Sequence, residues 1–462
     1  MTAENTAVEL NAIGVSAKAV RGGSSSLATG KWSDLMPTID RKWLNKILIF
    51  AACSTHLLIA DARGHKSNLQ ISLGPEVTVI PGGLFGYLFR SREGTLVVNG
   101  YVGTNSGALA RPGWGRPLAG PGHAFTVRSV DSGKTWTVWA PDKDVAISRE
   151  RTPRLWSLCK HEHCSGRMGP ATQGSIVELR DGTILMYDHE PEADGDGKFV
   201  GRMWTSNDDW KTVQGLEETY IEIPHAVQTM MADNNALVTG MLFWGPVVEL
   251  PNGVLLATMT GLFKEDKTPL KYTEKSTVVS PNMIQDRSIL VRSEDRGRNW
   301  KYLSTIAAPP RGTQEGFNET NVIRLTQGRH KGRLIAIIRT GRENPLYQAL
   351  SDDEGKTWSE PRALNIGGVA PSLIEMANGV LVVSFGHKPE YNDNGNFLAF
   401  SLDQGESWTN ITRLSSGLTR AYTTVRETAP GELFILYSEF QGGYYRSPLA
   451  RLLGRSVNVK LQ

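Results

Sequence analysis

Cysteine and histidine side chains crowd one short segment, where they could ligate a metal ion or form a disulfide. The segment reads Cys159-Lys160-His161-Glu162-His163-Cys164, and the only other cysteine in the sequence is Cys53. Thiolates and imidazoles are common zinc ligands, but four ligands from six consecutive residues would converge only with strain. In an oxidising compartment, two cysteines this close can form a small disulfide loop. We favour the disulfide, keep the metal site as the alternative, and expect no metal or cofactor in catalysis.

Acidic side chains gather directly after a predicted strand, residues 183–187. Asp188 and Glu190 follow its end, where a carboxylate can give or take a proton at the edge of a cleft. The carboxylates at positions 192, 194 and 196 are more consistent with a solvated turn. A Gly/Pro-rich loop, residues 103–123, has a length typical of loops that shape binding clefts. We therefore take Asp188, Glu190 and His123, at the end of this loop, as candidate proton donors.

These side chains can act together only if the fold brings distant parts of the chain to one place, and a repeated turn motif indicates how. The pattern Ser-x-Asp-x-Gly-x-x-Trp occurs at residues 129–136, 293–300, 351–358 and 401–408, with a shortened copy at 206–210. In such a turn Asp can accept hydrogen bonds from backbone amides, Gly tolerates positive φ, and Trp folds back under the loop. Four intact copies of this Asp box indicate a repeat architecture.

A second repeated pattern gives the number of structural units in the chain. Six turn glycines are each followed by a β-rich run and preceded by another short apolar run: Gly94, Gly182, Gly253, Gly332, Gly379 and Gly431. Two strands, a further strand and an Asp-box turn per unit predict a four-stranded antiparallel blade. Six such units predict an all-β, six-bladed β-propeller over residues 68–460, whose ring closure protects its strand edges.

The composition agrees with this architecture and argues against several partner classes. The 48 Gly and 12 Trp among 462 residues suit a chain with many tight turns. Lys plus Arg (50) nearly balance Asp plus Glu (47), for a net charge of +3, which gives no electrostatic case for nucleic acid. No apolar span is long enough for a membrane helix. We predict a monomer without a nucleic-acid partner or an integral membrane span.

The N-terminal region resembles an export signal rather than part of the propeller. Residues 1–40 are polar and low in pattern, and we predict that they are a disordered or mis-started extension. Residues 41–62 combine a basic stretch, an apolar run and an Ala60-Asp61-Ala62 site, the organisation of a signal peptide. The alternative is a buried strand or short helix. We expect a mature chain that begins near Arg63 and is secreted or periplasmic.

Asp boxes at this spacing on six strand pairs resemble those of the sialidase (neuraminidase) superfamily, across about residues 80–445. The resemblance implies a Tyr nucleophile, a neighbouring Glu as its base, and Arg residues that hold a substrate carboxylate. Tyr422, ahead of the last strand pair, matches the nucleophile, while Glu319 and Arg339 match the base and one Arg. A phenol is neutral but ionises near pH 10, so it needs such a base. The alternatives are a core aromatic and a structural ion pair.

The sequence departs from the family at three places. The resemblance implies a first Arg near Leu84 and a third near Asp393, and neither is present. No Asp occurs in residues 103–123, where the family keeps its acid/base. The basic residues that we predict to bind substrate beside Arg339 are Arg420, Lys388, His387 and His123.

These observations predict an exported, exo-acting, retaining glycoside hydrolase that cleaves terminal sugars, acidic ones included, from a glycan or oligosaccharide. Its specificity would be that of an exo-α-sialidase or a related enzyme. Two alternatives stay open. One is a non-catalytic glycan-binding propeller, and the other is a polysaccharide lyase in which Tyr and His abstract a proton beside an Arg-neutralised uronate.

Overall fold

The computed structural model is all-β apart from one short helix. It describes residues 69–81, 83–102, 124–139, 147–158, 175–227, 241–270, 284–309, 313–341, 344–387, 395–415, 422–439 and 451–462. The predicted export segment, residues 41–62, and the pair Cys159 and Cys164 lie outside this part of the chain. No helix in the described ranges is long and apolar enough to cross a membrane.

The first three blades follow the chain in order. Blade 1 consists of β2 (Gly83–Arg90), β3 (Leu96–Val102), β4 (Ala124–Ser129) and β5 (Thr137–Trp139). Helix α1 (Pro153–Leu158) precedes blade 2, which consists of β6 (Ile176–Glu178), β7 (Ile184–Tyr187), β9 (Lys198–Ser206) and β10 (Gln214–Glu222), with β8 (Glu192–Ala193) paired to β9. Blade 3 consists of β11 (Met241–Glu249), β12 (Leu255–Gly261), β13 (Arg287–Ser293) and β14 (Asn299–Ala307).

The last three blades complete the ring. Blade 4 consists of β15 (Asn318–Arg324), β16 (Leu334–Arg339), β17 (Pro345–Ser351) and β18 (Arg362–Gly367). Blade 5 consists of β19 (Val369–Glu375), β20 (Leu381–His387), β21 (Gly395–Ser401) and β22 (Thr409–Ser415). Blade 6 consists of β23 (Thr423–Ala429), β24 (Glu432–Glu439), β25 (Arg451–Leu461) and, as its outer strand, β1 (Leu69–Pro81).

Two strand pairings go beyond the predicted pattern. Strand β1 pairs antiparallel with β25, from Leu69 opposite Leu461 to Pro81 opposite Arg451, and so joins the two ends of the propeller in one sheet. Strands β10 and β14 pair in parallel through residues 220–222 and 299–301, which merges blades 2 and 3 into one sheet. The blades nevertheless keep their own four-stranded order.

Apolar packing closes the ring. The described residues form six hydrophobic clusters, and each contains residues from two consecutive blades, including the pair formed by blades 6 and 1. The second strands are covered by a neighbouring blade on both sides. Every residue of β12 and of β16 is therefore buried, including the polar Thr258 and Arg339. This arrangement confirms the predicted six-bladed propeller.

The Asp boxes form turns between the third and fourth strands. In the first box, the Asp131 carboxylate accepts hydrogen bonds from the Thr135 amide at 2.9 Å and from the Ser129 hydroxyl at 2.7 Å. The Ser129 hydroxyl in turn accepts the Gly133 amide at 2.9 Å. The box tryptophan does not simply fold under its own loop. In blade 1, Trp136 packs against Phe434 of blade 6, with ring centroids 5.7 Å apart, so the box joins neighbouring blades.

The copy in blade 2 is a full-length box, and the prediction of a shortened copy was wrong. Asp208 accepts the Thr212 amide at 2.9 Å, and the Trp210 amide donates to the Ser206 hydroxyl at 3.0 Å. Trp210 therefore occupies the glycine position, with φ of +59°, and Val213 occupies the usual tryptophan position. Trp210 is still buried between blades 1 and 2, so the exchange keeps the contact with the preceding blade.

The antiparallel order gives the ring two different faces. The turn glycines lie between the first and second strands, and the Asp boxes lie between the third and fourth, so both sets of turns share one face, which we call the lower face. The starts of the first strands and the ends of the second strands meet at the opposite, upper face. Because the first strands of successive blades pack against one another around the axis, side chains at their upper ends come close together.

Candidate active site

Irregular backbone marks the upper ends of the inner strands. The strand register shifts between Asn318 and Asn321 in β15 and between Val369 and Ser372 in β19. The first strands of blades 1 and 3 carry similar shifts. Two non-glycine residues adopt positive φ at these bulges: Glu319 at +44° and Ala370 at +47°. A bulge bends its strand and redirects side chains, and backbone strain of this kind concentrates at functional sites.

Tyr422 and Glu319 meet across the axis. Tyr422 precedes β23 in blade 6, and its hydroxyl donates to Glu319 Oε1 at 2.9 Å, within the range expected for a nucleophile and its base. Glu319 Oε2 accepts the Ala370 amide at 2.8 Å. The two positive-φ residues are thus joined by a hydrogen bond, which indicates that the strained bulges serve to hold this carboxylate in one orientation.

Arg339 binds the other side of Glu319. It ends β16, and its guanidinium lies 2.6 Å from Glu319 Oε1 and 2.7 Å from Glu315 Oε2. The residue is only 6% exposed. Burial opposes its positive charge, but Glu315 and Glu319 outweigh that cost and raise the pKa of Arg339 well above its usual range. The predicted substrate clamp therefore already holds two protein carboxylates in this structure.

Asp286 is a third buried acidic residue in this cluster. It precedes β13, and the Asn318 amide group donates to its Oδ2 at 3.3 Å. Burial raises the pKa of Asp286 well above its usual range, and the nearby Glu315 adds to the effect. The backbones of Gly316 and Asp286 approach each other closely, and only glycine fits there. The φ of Gly316 is +91°, and a Cβ would lie 2.3 Å from the Asp286 carbonyl oxygen. Burial therefore favours the protonated form of Asp286 over the carboxylate.

Aromatic rings line the space beside Tyr422. Trp244, at the bulge of β11, packs against Tyr422 with ring centroids 6.1 Å apart and against His189 at 5.0 Å. The His189 Nδ1 lies 2.6 Å from the Phe243 carbonyl oxygen, which fixes the orientation of the imidazole. Within the described part of the chain, the residues that line the axial cavity are uncharged, and those with polar or aromatic side chains are Tyr87, Trp244, Asn321, Ser372, Tyr422, Thr423 and Thr424. Aromatic faces with nearby hydroxyl and amide groups suit a sugar ring.

Two further candidates from the sequence, Asp188 and Glu190, contact Arg202 of their own blade. Asp188 is buried, and its carboxylate accepts the His189 amide at 2.9 Å and binds Arg202 at 3.0 Å. Asp188 thus forms a structural ion pair with Arg202, and we do not retain it as a proton donor. Glu190 is half-buried, and its carbonyl oxygen accepts a hydrogen bond from Arg202 at 3.4 Å. The backbone of β20 ends at His387, whose side chain lies outside the described part. Arg420, Lys388 and His123 also lie outside it.

Four residues of the site were not found from the sequence: Glu315, Asp286, Trp244 and His189. One signal could have identified His189. It follows the second strand of blade 2, just as Arg339 ends the second strand of blade 4, so both lie at the upper face. Glu315 and Asp286 gave no signal, because their role depends on which buried group each contacts.

Comparisons with known proteins agree with the fold. The BNR repeat-like domain family matches residues 262–456. A search of curated proteins found no match. Among solved structures, a protein of unknown function from Dyadobacter fermentans has a TM-score of 0.56 at 19% identity, over 84% of this chain and 99% of that one.

Two glycosidases also match in fold. The α-L-arabinofuranosidase of Fusarium graminearum, solved with an iminosugar inhibitor, has a TM-score of 0.53 at 13% identity, over 83% of this chain and 97% of that one. A Hadza microbial sialidase has a TM-score of 0.51 at 17% identity, over 81% of this chain and 65% of that one. These matches confirm the predicted propeller fold, and the family match places BNR-type repeats in residues 262–456.

Proposed function

We propose that this sialidase-like propeller is a retaining, exo-acting glycoside hydrolase in which Tyr422 is the nucleophile and Glu319 its base. The hydrogen bond between these two side chains carries the proposal, because it joins blades 6 and 4 and brings a tyrosine against an anchored carboxylate on the axis. The glycosidase activities named for two proteins of the same fold support it. We also propose export, on the basis of residues 41–62.

The chemistry proceeds in two displacements. In the first, the Tyr422 oxygen attacks the anomeric carbon while its proton passes to Glu319, and the glycosidic bond breaks as the leaving oxygen takes a proton from an acid. In the second displacement, water attacks the same carbon and gives its proton to the group that acted as the acid. The bond to Tyr422 breaks, and the released tyrosinate recovers its proton from Glu319. Two inversions retain the anomeric configuration.

The proton donor that we assign is His189. A donor has to lie beside the bound sugar, and the imidazole of His189 packs against Trp244, which in turn packs against Tyr422. With Nδ1 held by the Phe243 carbonyl, the imidazolium would donate from Nε2. This assignment replaces Asp188, whose carboxylate holds Arg202.

The lyase alternative loses its main support. A lyase needs a cation to neutralise the substrate uronate, and Arg339 is engaged by Glu315 and Glu319. The non-catalytic alternative stays open, because a funnel of aromatic and hydroxyl groups can bind a glycan without cleaving it.

A panel of fluorogenic glycosides, assayed with the wild type and with Tyr422→Phe, tests the function. We expect turnover of at least one glycoside and a loss of about a thousandfold or more in kcat for the variant, because the nucleophile is removed. Tyr437→Phe is the matched control: Tyr437 donates to Glu76 at 2.6 Å in blade 6, so its loss should leave kcat unchanged. An unsaturated, ultraviolet-absorbing product would indicate a lyase, and saturable binding without turnover would indicate a binding module.

A further inference from the structure

We propose that the sugar bound beside Tyr422 is uncharged, and that the site discriminates against sugars that carry a carboxylate. The inference rests on the proposed hydrolase function and adds the substrate class. It departs from the resemblance, which implies that Arg339 and its basic neighbours grip an acidic sugar.

The first argument is that Arg339 is already occupied. Both ends of its guanidinium bind carboxylates, at 2.6 Å and 2.7 Å, and the residue is almost wholly buried. A substrate carboxylate could reach it only by displacing Glu315 or Glu319. Breaking a buried pair leaves an uncompensated charge, which is strongly unfavourable. Arg339 therefore serves to position Glu319 against Tyr422.

The second argument is the balance of charge. One guanidinium faces Glu315 and Glu319, so these three side chains together keep a negative charge. They lie on the Glu319 side of Tyr422, whereas the His189 imidazole lies behind Trp244, on the other side. A substrate carboxylate about 5 Å from these three side chains would be repelled. With the effective dielectric constant of a partly buried site, the repulsion corresponds to a loss of affinity of roughly a hundredfold.

The third argument is the lining of the cavity. Its side chains offer hydroxyl and amide groups from Asn321, Ser372, Thr423 and Thr424, and aromatic faces from Tyr87 and Trp244. Hydroxyl and amide groups can both donate and accept hydrogen bonds, as sugar hydroxyls require. The cavity itself has a volume of only about 20 Å³, enough for one water. A neutral sugar would therefore lie over this lining, with its hydroxyl groups toward these polar side chains.

Matched aryl glycosides that differ only in charge test the inference. Suitable pairs are the β-glucoside with the β-glucuronide and the α-galactoside with the α-galacturonide, together with an aryl α-L-arabinofuranoside and the 4-methylumbelliferyl N-acetylneuraminide. We expect kcat/KM for neutral substrates to exceed that for acidic ones by about a hundredfold or more. Equal or faster turnover of an acidic glycoside would overturn the inference and leave the hydrolase function intact.

If no glycoside is turned over, the proposed function fails and the inference is judged on binding alone. The melting temperature is then measured with arabinose, galactose, galacturonate and N-acetylneuraminate at equal concentrations. A neutral sugar should stabilise the protein more than its acidic counterpart, and the reverse order would reject the inference.

Glu315→Gln provides a second, internal test. The change removes one negative charge and loosens one end of Arg339, so the preference for neutral over acidic ligands should fall at least tenfold. Asp352→Asn is the control, because Asp352 pairs with Arg333 at 2.7 Å beside the blade 4 Asp box, on the lower face, and its loss should leave the preference unchanged. A folded Glu315→Gln protein with an unaltered preference would count against the inference.

Discussion

The lower and upper faces of the propeller differ in how far their residues repeat from blade to blade. On the lower face, the same turn recurs: in five blades a box Asp accepts the backbone amide four residues later, at 2.9 Å each time. On the upper face, four blades each contribute a different group: Trp244 from blade 3, Glu319 from blade 4, Ala370 from blade 5 and Tyr422 from blade 6. Repetition thus accompanies the part that holds the ring together, and variation accompanies the part that can carry chemistry.

If the faces divide the work in this way, upper-face substitutions should change catalysis far more than stability. Glu319→Gln keeps the shape of the side chain but removes the base. We expect kcat to fall about a hundredfold to a thousandfold, with a smaller change in KM, measured on any glycoside that the wild type cleaves. An unchanged kcat would remove Glu319 from the proposed chemistry.

The role of His189 predicts a dependence on the leaving group. His189→Gln should slow a glycoside with an alcohol leaving group by about a hundredfold, because such a group needs a proton to depart. A dinitrophenyl glycoside, whose leaving group departs as the anion, should be slowed less than about tenfold. His330→Gln, in the lower-face turn between β15 and β16, is the control and should alter neither rate. Equal losses on both substrates would indicate a positioning role for His189.

Lower-face substitutions should have the opposite effect, lowering stability while sparing catalysis. In the blade 1 box, Gly133 has φ of +88°, and a Cβ there would lie 2.3 Å from the Phe434 ring. Gly133→Ala should lower the free energy of unfolding by about 2 kcal/mol or more, measured by urea denaturation, with kcat/KM of the folded protein unchanged.

Gly182→Ala separates the two causes. Gly182 has nearly the same φ, +89°, but no atom lies within 4 Å of a Cβ built there. This variant should lose only the backbone preference, about 1 kcal/mol. Equal losses in the two variants would show that contact with the neighbouring blade contributes nothing.

The smallest effect concerns acid stability. The Thr357 hydroxyl and amide donate to Asp353 and lower its pKa to about 2, from 3.8. A pKa lowered by folding gives stability that is complete above the unfolded value and is lost as the pH falls through the folded value. Asp353→Asn should therefore melt slightly below the wild type at pH 6 and together with it near pH 2. A difference that persists at pH 2 would show that the carboxylate charge is not the cause.

The same contrast explains what the sequence could predict. The lower face follows local rules: a positive-φ glycine and an Asp that accepts nearby amides can be recognised within eight residues. Blade 2 is the exception, because Trp210 occupies the glycine position there. It adopts the positive φ of that position although it is not glycine, so the residue type did not reveal the turn. The pairing of β1 with β25 was missed because β1 carries no box and its partner lies at the far end of the chain.

The upper face depends on contacts between blades, which no local pattern encodes. Tyr422, Glu319 and Arg339 could be proposed only through the resemblance. That Arg339 faces Glu315 as well as Glu319, and so is not free to bind an anion, depends on the three-dimensional placement of a loop. The raised pKa of Asp286 follows from burial, which the sequence around it does not reveal.

The sheet shared by β1 and β25 also has a consequence for how the molecule is made. The earliest propeller strand to leave the ribosome has to wait, unpaired, until the latest one follows. Tyr422 directly precedes β23 of the sheet that this late pairing completes, so it reaches its place opposite Glu319 only when synthesis is nearly over. A chain truncated before β25 would therefore leave β1 without its partner strand. Under the proposed function, we expect such a chain to be inactive until β25 is made and pairs with β1.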